Sequence, residues 1–347
     1  MTTIAVGTDK GLFSFAASEG GGWEPADPQM LGWQITALGR AGDGTYLAGT
    51  ASGWYGPAIQ RSDDLVSWQQ VSPGPQYAAD GARTLERVWR FAPTDAALWV
   101  GVAEAGLFRS DDHGLTWEPV PGLNDHPTSR SWMPGAGGMC AHAIIEHPDD
   151  PDRLWCGISA VGVFRTDDGG VTWELRNSGV ERAAPEEDGG PDVGYCVHGL
   201  AQDPEAPDTL YRQDHTGVYR TRDGADTWER IETGLPARFG FPIVADAGSG
   251  RLFVAPQHSD ERRVSPDGRF RVWRSDDRGD SWQVSGSGWP SGPRWAGVLR
   301  GAMTGDGAGT VAAGTTSGEV WVTTDAGDHW EQLDVTLPRI HAVTVLA

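Results

Sequence analysis

The sequence predicts an all-β fold, namely a seven-bladed β-propeller of four-stranded antiparallel blades, formed by residues 1–347 as a single domain. Three observations predict it. A phrase of eight residues that ends in tryptophan recurs along the chain. Its tryptophan, counted also in degenerate copies, returns seven times at intervals of 45 to 56 residues, which is the length of a propeller blade. The end of the chain supplies a strand that the first repeat lacks.

The recurring phrase has the pattern Ser/Thr-x-Asp-x-Gly-x-Ser/Thr-Trp. Complete copies occupy residues 110–117, 166–173 and 275–282, looser copies occupy 62–68, 221–228 and 323–330, and the copy ending at Trp23 keeps little but the tryptophan. An Asp side chain accepts backbone N–H groups of its own turn, and Gly supplies a positive φ. We therefore expect a tight hairpin turn, with the tryptophan packed beneath it as a structural staple between blades.

Three further strands precede the tryptophan of each repeat. In the copy that ends at Trp173, apolar residues alternate over 141–146, 153–158 and 162–166, and a turn rich in Asp and Pro separates the first two segments. Alternation bounded by Gly and Pro is typical of short strands. With the strand that follows the phrase, each repeat has four strands, A to D.

The two ends of the chain complement each other. Residues 2–26 supply strands B, C and D without an A strand, and residues 339–346 form an apolar strand with no repeat of its own. Pairing these segments completes one blade, closes the ring and removes an open sheet edge. The sequence therefore predicts one domain with no linker or disordered tail.

Charge and composition limit the partners. The chain has 48 acidic and 27 basic residues and a formal net charge of -21, which repels nucleic acid and anionic membrane surfaces. No apolar run reaches the length of a signal peptide or a membrane span, so we expect a cytoplasmic protein. The three cysteines, Cys140, Cys156 and Cys196, form no CxxC pair, and their odd number makes a disulfide framework improbable.

The elaborated loops lie on one face of the predicted propeller. The A–B and C–D connections are short, whereas D–A loops run over 119–138 and 176–194 and a B–C insertion runs over 257–268. Long loops in a compact domain are usually functional, so we expect the ligand site at the central mouth of this face.

Histidines recur near this mouth. Those at the start of A strands are His142, His198 and His341, and those in B–C loops are His215 and His258. Cys140 and Cys196 precede two of them by two residues, so the set is suited to zinc, iron or copper. Repetition of the blade register explains the same spacing without metal, because equivalent positions face neighbouring blades. A hydrogen-bonding or substrate-facing role is the alternative, and the sequence requires no cofactor.

The repeats resemble the Asp-box, or bacterial neuraminidase repeat, proteins of the sialidase-like superfamily, which includes sialidases, two-propeller xyloglucanases, sortilin-type receptors and photosystem assembly factors. The resemblance covers essentially the whole chain. In that superfamily the box lies on the side opposite the ligand site, so the boxes indicate the fold and not the function.

The resemblance to sialidases implies a site with three arginines for a carboxylate, a Tyr nucleophile with a Glu partner, and an Asp acid/base. The arginines at or just before A strands are Arg87, Arg130, Arg238, Arg294 and Arg339. The candidate catalytic residues are Tyr195, Glu104, Asp214, Asp260, His142 and His198, and the candidate stacking residues are Trp89, Trp132 and Trp295. The chain departs from the sialidase pattern, since no Arg-Ile-Pro motif is present and no arginine precedes Arg40.

These features predict a sialidase-superfamily-like propeller that binds a small polar or sugar-like ligand at its mouth. If the chain is an enzyme, a glycosidase-like hydrolase is the expected class. Two alternatives remain open at this point. One is a non-catalytic propeller that binds or assembles a protein with the same face, and the other is a metal-dependent enzyme built on the mouth histidines.

Overall fold

A computed structural model gives the structure of residues 2–78, 83–135, 137–182 and 193–346. The strands are numbered β1 to β28 in chain order. The first seven are β1 (Thr3–Thr8), β2 (Gly11–Ala17), β3 (Trp23–Pro25), β4 (Gln34–Arg40), β5 (Tyr46–Ser52), β6 (Gly56–Ser62) and β7 (Gln69–Gln70). The next eight are β8 (Arg87–Pro93), β9 (Leu98–Ala103), β10 (Gly106–Ser110), β11 (Glu118–Pro119), β12 (Ala141–His147), β13 (Asp150–Ile158), β14 (Gly162–Thr166) and β15 (Glu174–Leu175).

The remaining strands follow the same order of three longer strands and one short one. They are β16 (Gly199–Gln202), β17 (Leu210–Gln213), β18 (Val218–Thr221), β19 (Glu229–Arg230), β20 (Gly240–Asp246), β21 (Arg251–Pro256), β22 (Trp273–Ser275) and β23 (Gln283–Val284), then β24 (Val298–Gly305), β25 (Val311–Thr315), β26 (Val320–Thr323), β27 (Glu331–Gln332) and β28 (Ile340–Leu346). Helix α1 (Pro121–Asn124) and 3₁₀ turns at Ser129–Ser131 and Pro266–Gly268 interrupt the loops. No helix in the described ranges is long and apolar enough to cross a membrane.

The strands form antiparallel sheets of four. Five sheets stand alone, from β4–β7 to β20–β23, and the eight-stranded sheet β27-β26-β25-β24-β28-β1-β2-β3 consists of two further sets of four. The sets meet at a single parallel bridge between Gly301 and Ala342. Strand β28 pairs with β1, and Leu346 lies opposite Thr3. The fold is therefore the predicted all-β propeller, with seven sets of four strands among the described residues, and the pairing of the two termini is confirmed.

The chain divides into two compact units. The terminal unit comprises Met1–Ile35, His198–Arg222 and Glu229–Ala347, and the middle unit comprises Thr36–Val197 and Asp223–Trp228. Each unit has its own buried core. The terminal unit packs Trp321 and Trp330 among aliphatic residues of β24–β28, and the middle unit packs Trp99 and Phe164 in the same manner. A single domain over residues 1–347 stays a prediction.

The Asp-box turns have the predicted hydrogen bonds. In the middle unit, the Asp112 carboxylate accepts the Thr116 N–H at 2.8 Å, the Thr116 hydroxyl at 2.6 Å and the Ser110 hydroxyl at 2.8 Å. Gly114 has the left-handed φ of 88° that the turn requires. In the copy ending at Trp330, His329 offers only its backbone N–H to Asp325, since it lacks the hydroxyl.

The box tryptophans link successive repeats at one register. The indole N–H donates to the backbone or side chain of the residue three positions after the preceding box tryptophan. Trp228 donates to the Arg176 carbonyl within the middle unit, and in the terminal unit Trp282 donates to the Ile231 carbonyl and Trp330 to the Ser285 hydroxyl. The predicted staple role is thus confirmed in these three repeats.

Acid is expected to weaken the boxes, and Asp112 gives a test. Partial burial opposes its ionisation, but hydrogen bonds from Thr116, Ser110 and Leu115 lower its pKa to about 2. Because the unfolded pKa is about 4, the stabilisation is complete above pH 4 and disappears as the pH falls towards 2. Asp112→Asn is expected to lower the melting temperature at pH 7, and the difference from wild type should shrink as the pH falls from about 4 to about 2.

Thermal unfolding followed by circular dichroism across that pH range measures the difference. Asp111→Asn is the matched control, because Asp111 lies beside the turn and pairs with the exposed Arg109. A difference for Asp112→Asn that stays constant down to the lowest pH would contradict the assignment.

Two D–A loops predicted to surround the mouth are only partly described. Residues 183–192 of the 176–194 loop and Ala136 of the 119–138 loop lie outside the described residues. The insertion 257–268 is described in full. The candidate site lies within the terminal unit.

Candidate functional site

The candidate site lies where three neighbouring sheets of the terminal unit present the starts of their first strands. His198 immediately precedes β16, Phe239 and Phe241 flank the start of β20, and Arg300 lies near the start of β24. His215 projects from the turn between β17 and β18, and the insertion 257–268 follows β21. First strands of neighbouring blades lie side by side in a propeller, which brings these residues together.

Four rings form the aromatic cluster of the site: His198, His215, Phe239 and Phe241. The ring centroids of His198 lie 4.6 Å from those of His215 and Phe241. The Phe239 ring lies 5.2 Å from each of the other three rings. His198 is fully buried, whereas His215 is half-buried. His215 is therefore the histidine of the pair with a solvent-facing part.

Backbone contacts fix the orientation of His198. Its Nδ1 lies 2.6 Å from the Gly240 carbonyl oxygen, and its backbone N–H donates to the Gln213 carbonyl at 2.9 Å. A carbonyl oxygen only accepts hydrogen bonds, so Nδ1 of His198 carries a proton.

Two guanidinium groups converge on the aromatic cluster. The Arg300 and Arg263 guanidinium carbons lie 4.8 Å and 5.6 Å from the centroid of the Phe241 ring, within cation–π range. Arg263 also donates from Nε to the Asp260 carbonyl at 2.8 Å. Among the described residues, no carboxylate forms an ion pair with Arg263. Two guanidinium groups therefore lie close to one aromatic ring in a chain whose net charge is -21.

The electrostatic environment keeps His215 neutral near pH 7. Burial lowers the pKa of His215, and the positive charges of Arg300 and Arg263 lower it further, whereas Asp260 acts in the opposite direction. A neutral imidazole can donate one hydrogen bond and accept one, which suits a polar ligand.

The insertion is tied to the loop that precedes β24. The Ser265 N–H donates to the Ala296 carbonyl at 2.8 Å, and the Arg294 N–H donates to the Gly268 carbonyl at 2.6 Å. Gly268 has a φ of 63°, and a Cβ at this position would lie 2.6 Å from the Trp295 ring. Trp295 thus packs on a residue that must be glycine, and 62% of its surface stays exposed. The indole offers a stacking face at the rim of the site.

Asp214, a predicted catalytic acid, is enclosed by its own turn. Its carboxylate pairs with Arg212 Nε at 3.1 Å and accepts the backbone N–H groups of Thr216 and Gly217 at 2.6 and 3.1 Å. Burial raises the pKa of Asp214, although Arg212 and the turn hydrogen bonds act against this rise. With 1% exposure, the carboxylate has no path to a ligand in this arrangement.

Other predicted residues of the terminal unit have local partners. Arg238 pairs with Glu232 at 3.1 Å and Arg294 with Glu319 at 2.9 Å. His258 lies 3.3 Å from Arg262, His341 lies 2.6 Å from Asp9, and Arg339 is exposed, with its carbonyl accepting the Asp9 N–H. Among the five predicted histidines, ring contact between two of them is seen within this unit only for His198 and His215.

The predicted residues of the middle unit form separate contacts. The Arg87 guanidinium lies 5.0 Å from the Trp89 ring, which lies 6.4 Å from His142. His142 Nε2 lies 2.8 Å from the Val197 carbonyl, and the Tyr195 ring lies 6.0 Å from Arg182. Glu104 is half-buried, and its carbonyl accepts the Tyr77 hydroxyl. Trp132 is buried 5.5 Å from Phe164 and donates to Thr128, so it does not present a face to a ligand.

The arrangement in the terminal unit is suited to binding. Of the predicted metal ligands, His198 and His215 lie together in this unit. A glycosidase requires two carboxyl groups that flank the scissile bond. Of the predicted acids in this unit, Asp214 is enclosed by its turn, whereas Asp260 is exposed. The guanidinium groups of Arg263 and Arg300 were not predicted. Arg263 lies within the long insertion 257–268, and Arg300 lies inside strand β24, where an arginine is usually expected at the surface.

Comparisons with known proteins agree with this fold. No family model matches the chain. The chain is 29% identical over 91 residues to the vacuolar protein sorting/targeting protein 10 of Chaetomium globosum, covering 26% of this chain and 5% of that protein. It is 26% identical over 235 residues to a xyloglucanase of a Paenibacillus species, covering 64% of this chain and 20% of the enzyme. The chain thus spans only a small part of these relatives.

Solved structures show the same fold at low sequence identity. The GH74 enzyme of Niastella koreensis superimposes with a TM-score of 0.59 and 18% identity, covering 86% of this chain and 45% of the enzyme. YCF48 of Cyanidioschyzon merolae superimposes with a TM-score of 0.53 and 11% identity, covering 86% of this chain and 84% of YCF48. The chain is an Asp-box-type β-propeller, similar in sequence to xyloglucanases and similar in fold to these two proteins.

Proposed function

We propose that this chain is a ligand-binding propeller whose site in the terminal unit takes a small sugar-like ligand with an anionic group. The observation that carries the proposal is the convergence of Arg263 and Arg300 on the Phe241 ring, beside a neutral His215. Guanidinium groups bind carboxylates and phosphates through charge-assisted hydrogen bonds.

The sugar-like part of the proposal rests on a second feature of the site. Trp295 exposes its indole on the loop that holds the insertion, and exposed indoles stack on apolar faces of sugar rings. The similarity in sequence to a xyloglucanase, a protein named for action on a polysaccharide, supports the same ligand class. The proposal is limited to binding, because Asp214, a predicted catalytic acid, is enclosed by its own turn.

Removal of the Arg263 charge tests the proposal. Arg263→Gln is expected to weaken binding of digalacturonate by tenfold or more, because a hydrogen bond to a charged group contributes about 1.5–3 kcal/mol. Isothermal titration calorimetry of the intact chain at pH 7 measures the change. Arg269→Gln is the matched control, since Arg269 is an exposed arginine immediately after the same insertion and its backbone N–H donates to Pro266.

Equal weakening by both variants would show that only net charge matters, and would overturn the assignment of the anionic group to Arg263. Failure of the intact chain to bind any of galacturonate, glucuronate and their dimers would overturn the proposed ligand class.

A further inference from the structure

The turn that carries His215 rests on buried polar and charged side chains. Arg212, Gln213 and Asp214 are 0%, 1% and 1% exposed. Charged residues are almost never buried to this degree in a protein core, and their removal from water opposes folding. Two buried charged residues and a buried glutamine next to the candidate site therefore require a physical reason.

Hydrogen bonds from this set hold five polar groups of the turn 214–217. The Asp214 carboxylate accepts the Thr216 N–H, the Thr216 hydroxyl at 2.9 Å and the Gly217 N–H. Gln213 donates from Nε2 to the carbonyl oxygens of Asp214, Gly217 and Arg238 at 3.0, 3.2 and 2.9 Å. The Arg212 guanidinium pairs with the second carboxylate oxygen of Asp214 at 3.1 Å. The backbone on both sides of His215 is fixed as a result.

In two turns at the same register of the terminal unit, a threonine occupies the position that corresponds to Asp214. In the turn between β1 and β2, the hydroxyl of Thr8 accepts the Lys10 N–H at 3.1 Å, and Val6 occupies the position that corresponds to Arg212. In the turn between β25 and β26, the hydroxyl of Thr315 accepts the Glu319 N–H at 3.0 Å. The fold itself therefore does not require an ion pair under this turn.

The difference between the three turns lies in the side chain that each one presents. The turn built on Asp214 places His215 with its ring 4.6 Å from His198 and 5.2 Å from Phe239. A single neutral hydroxyl leaves more freedom at such a turn than a carboxylate with three turn hydrogen bonds and an arginine partner. Buried polar networks that are fully connected fix one geometry, which a binding site requires.

We propose that Asp214, braced by Arg212 and Gln213, is a positioning residue that holds the His215 ring against His198 and Phe239 in the geometry that receives the ligand. The part of this inference that concerns the ligand rests on the proposed function. The part that concerns the ring position does not.

The double variant Arg212→Val with Asp214→Thr tests the proposal, because it gives this turn the residues that Val6 and Thr8 supply in the first one. The melting temperature is expected to stay at the wild-type value or rise, since replacing a buried ion pair by uncharged residues is often neutral or stabilising. The ¹H–¹³C resonances of the His215 ring, assigned with His215→Asn in ¹³C-histidine-labelled protein, are expected to move towards the values of free histidine.

Digalacturonate affinity of the double variant is expected to fall roughly tenfold or more, because a small displacement of a binding group lowers affinity at unchanged stability. Unchanged His215 resonances together with unchanged affinity would overturn the proposal. If the double variant does not fold, Thr216→Ala must move the His215 resonances in the same direction. This substitution removes the hydroxyl that bonds to Asp214 and Tyr219 and leaves the ion pair intact. The absence of any movement in Thr216→Ala would then contradict it.

The two readouts separate this proposal from the proposed function. The ring resonances are recorded without ligand, so a displaced ring in a protein that binds no acidic sugar supports the positioning role and overturns only the ligand class. Ligand binding that is lost while the ring resonances stay in place supports the site and overturns the positioning role.

Discussion

Asp214→Ala is expected to lower the free energy of unfolding by about 3–5 kcal/mol, because it leaves the Arg212 guanidinium buried without its charge partner. Arg212 has no exposed surface, so water cannot replace the carboxylate. The same change also removes the acceptor of the Thr216 and Gly217 N–H groups. Equilibrium unfolding in urea at pH 7, followed by tryptophan fluorescence, measures the loss.

The matched control for this prediction is an acid whose arginine partner faces solvent. Asp111→Ala breaks the pair with Arg109, in which the two side chains are 72% and 40% exposed, and is expected to change stability by at most about 1 kcal/mol. Equal losses for Asp214→Ala and Asp111→Ala would show that the Arg212–Asp214 pair is solvated, and would contradict its burial.

Trp330→Ala is expected to lower the free energy of unfolding by about 3–5 kcal/mol, as the loss of a large buried aromatic side chain does. Trp330 is fully buried, its ring stacks on Trp289 at 5.3 Å, and its indole N–H donates to the Ser285 hydroxyl at 3.0 Å. The substitution removes the contact and the hydrogen bond that connect two successive repeats of the terminal unit.

Trp23→Ala is the natural comparison, since Trp23 holds the same register in the degenerate first repeat. It is only half-buried, and its indole donates to the exposed Glu331 carboxylate at 2.9 Å. We expect a loss of about 1 kcal/mol for this variant. Urea unfolding of the two variants under one set of conditions compares them, and a loss for Trp23→Ala as large as that for Trp330→Ala would contradict the link between burial and stapling.

The fold could be predicted because the residues that form each turn and mark each repeat lie close together in the sequence. Each Asp box fixes its own turn through bonds within five residues, as Asp112 does with Thr116, so the residues that form the turn stand together in the sequence. The tryptophan after the box marks the repeat length. Even the pairing of β28 with β1 followed from a strand missing at one end and a strand left over at the other.

The site was predictable only in part, because its geometry depends on loops. The positions of His198 and His215 followed from the blade register, and the two rings do meet. The placement of Arg263 depends on the course of the insertion 257–268, which no local pattern specifies. The role of Asp214 could not be predicted, because an acid at the predicted mouth is compatible both with catalysis and with a buried ion pair. The orientation of its turn places it in an ion pair with Arg212.

The most direct test of the central claim compares two ligands that differ at one carbon. Galacturonate carries a carboxylate where galactose carries a hydroxymethyl group. Calorimetric titration of the intact chain at pH 7 is expected to show at least roughly tenfold tighter binding of galacturonate, with a preference that weakens as salt screens the Arg263 and Arg300 charges. Equal affinity for the two sugars, or a preference that is insensitive to salt, would contradict a site built on paired guanidinium groups.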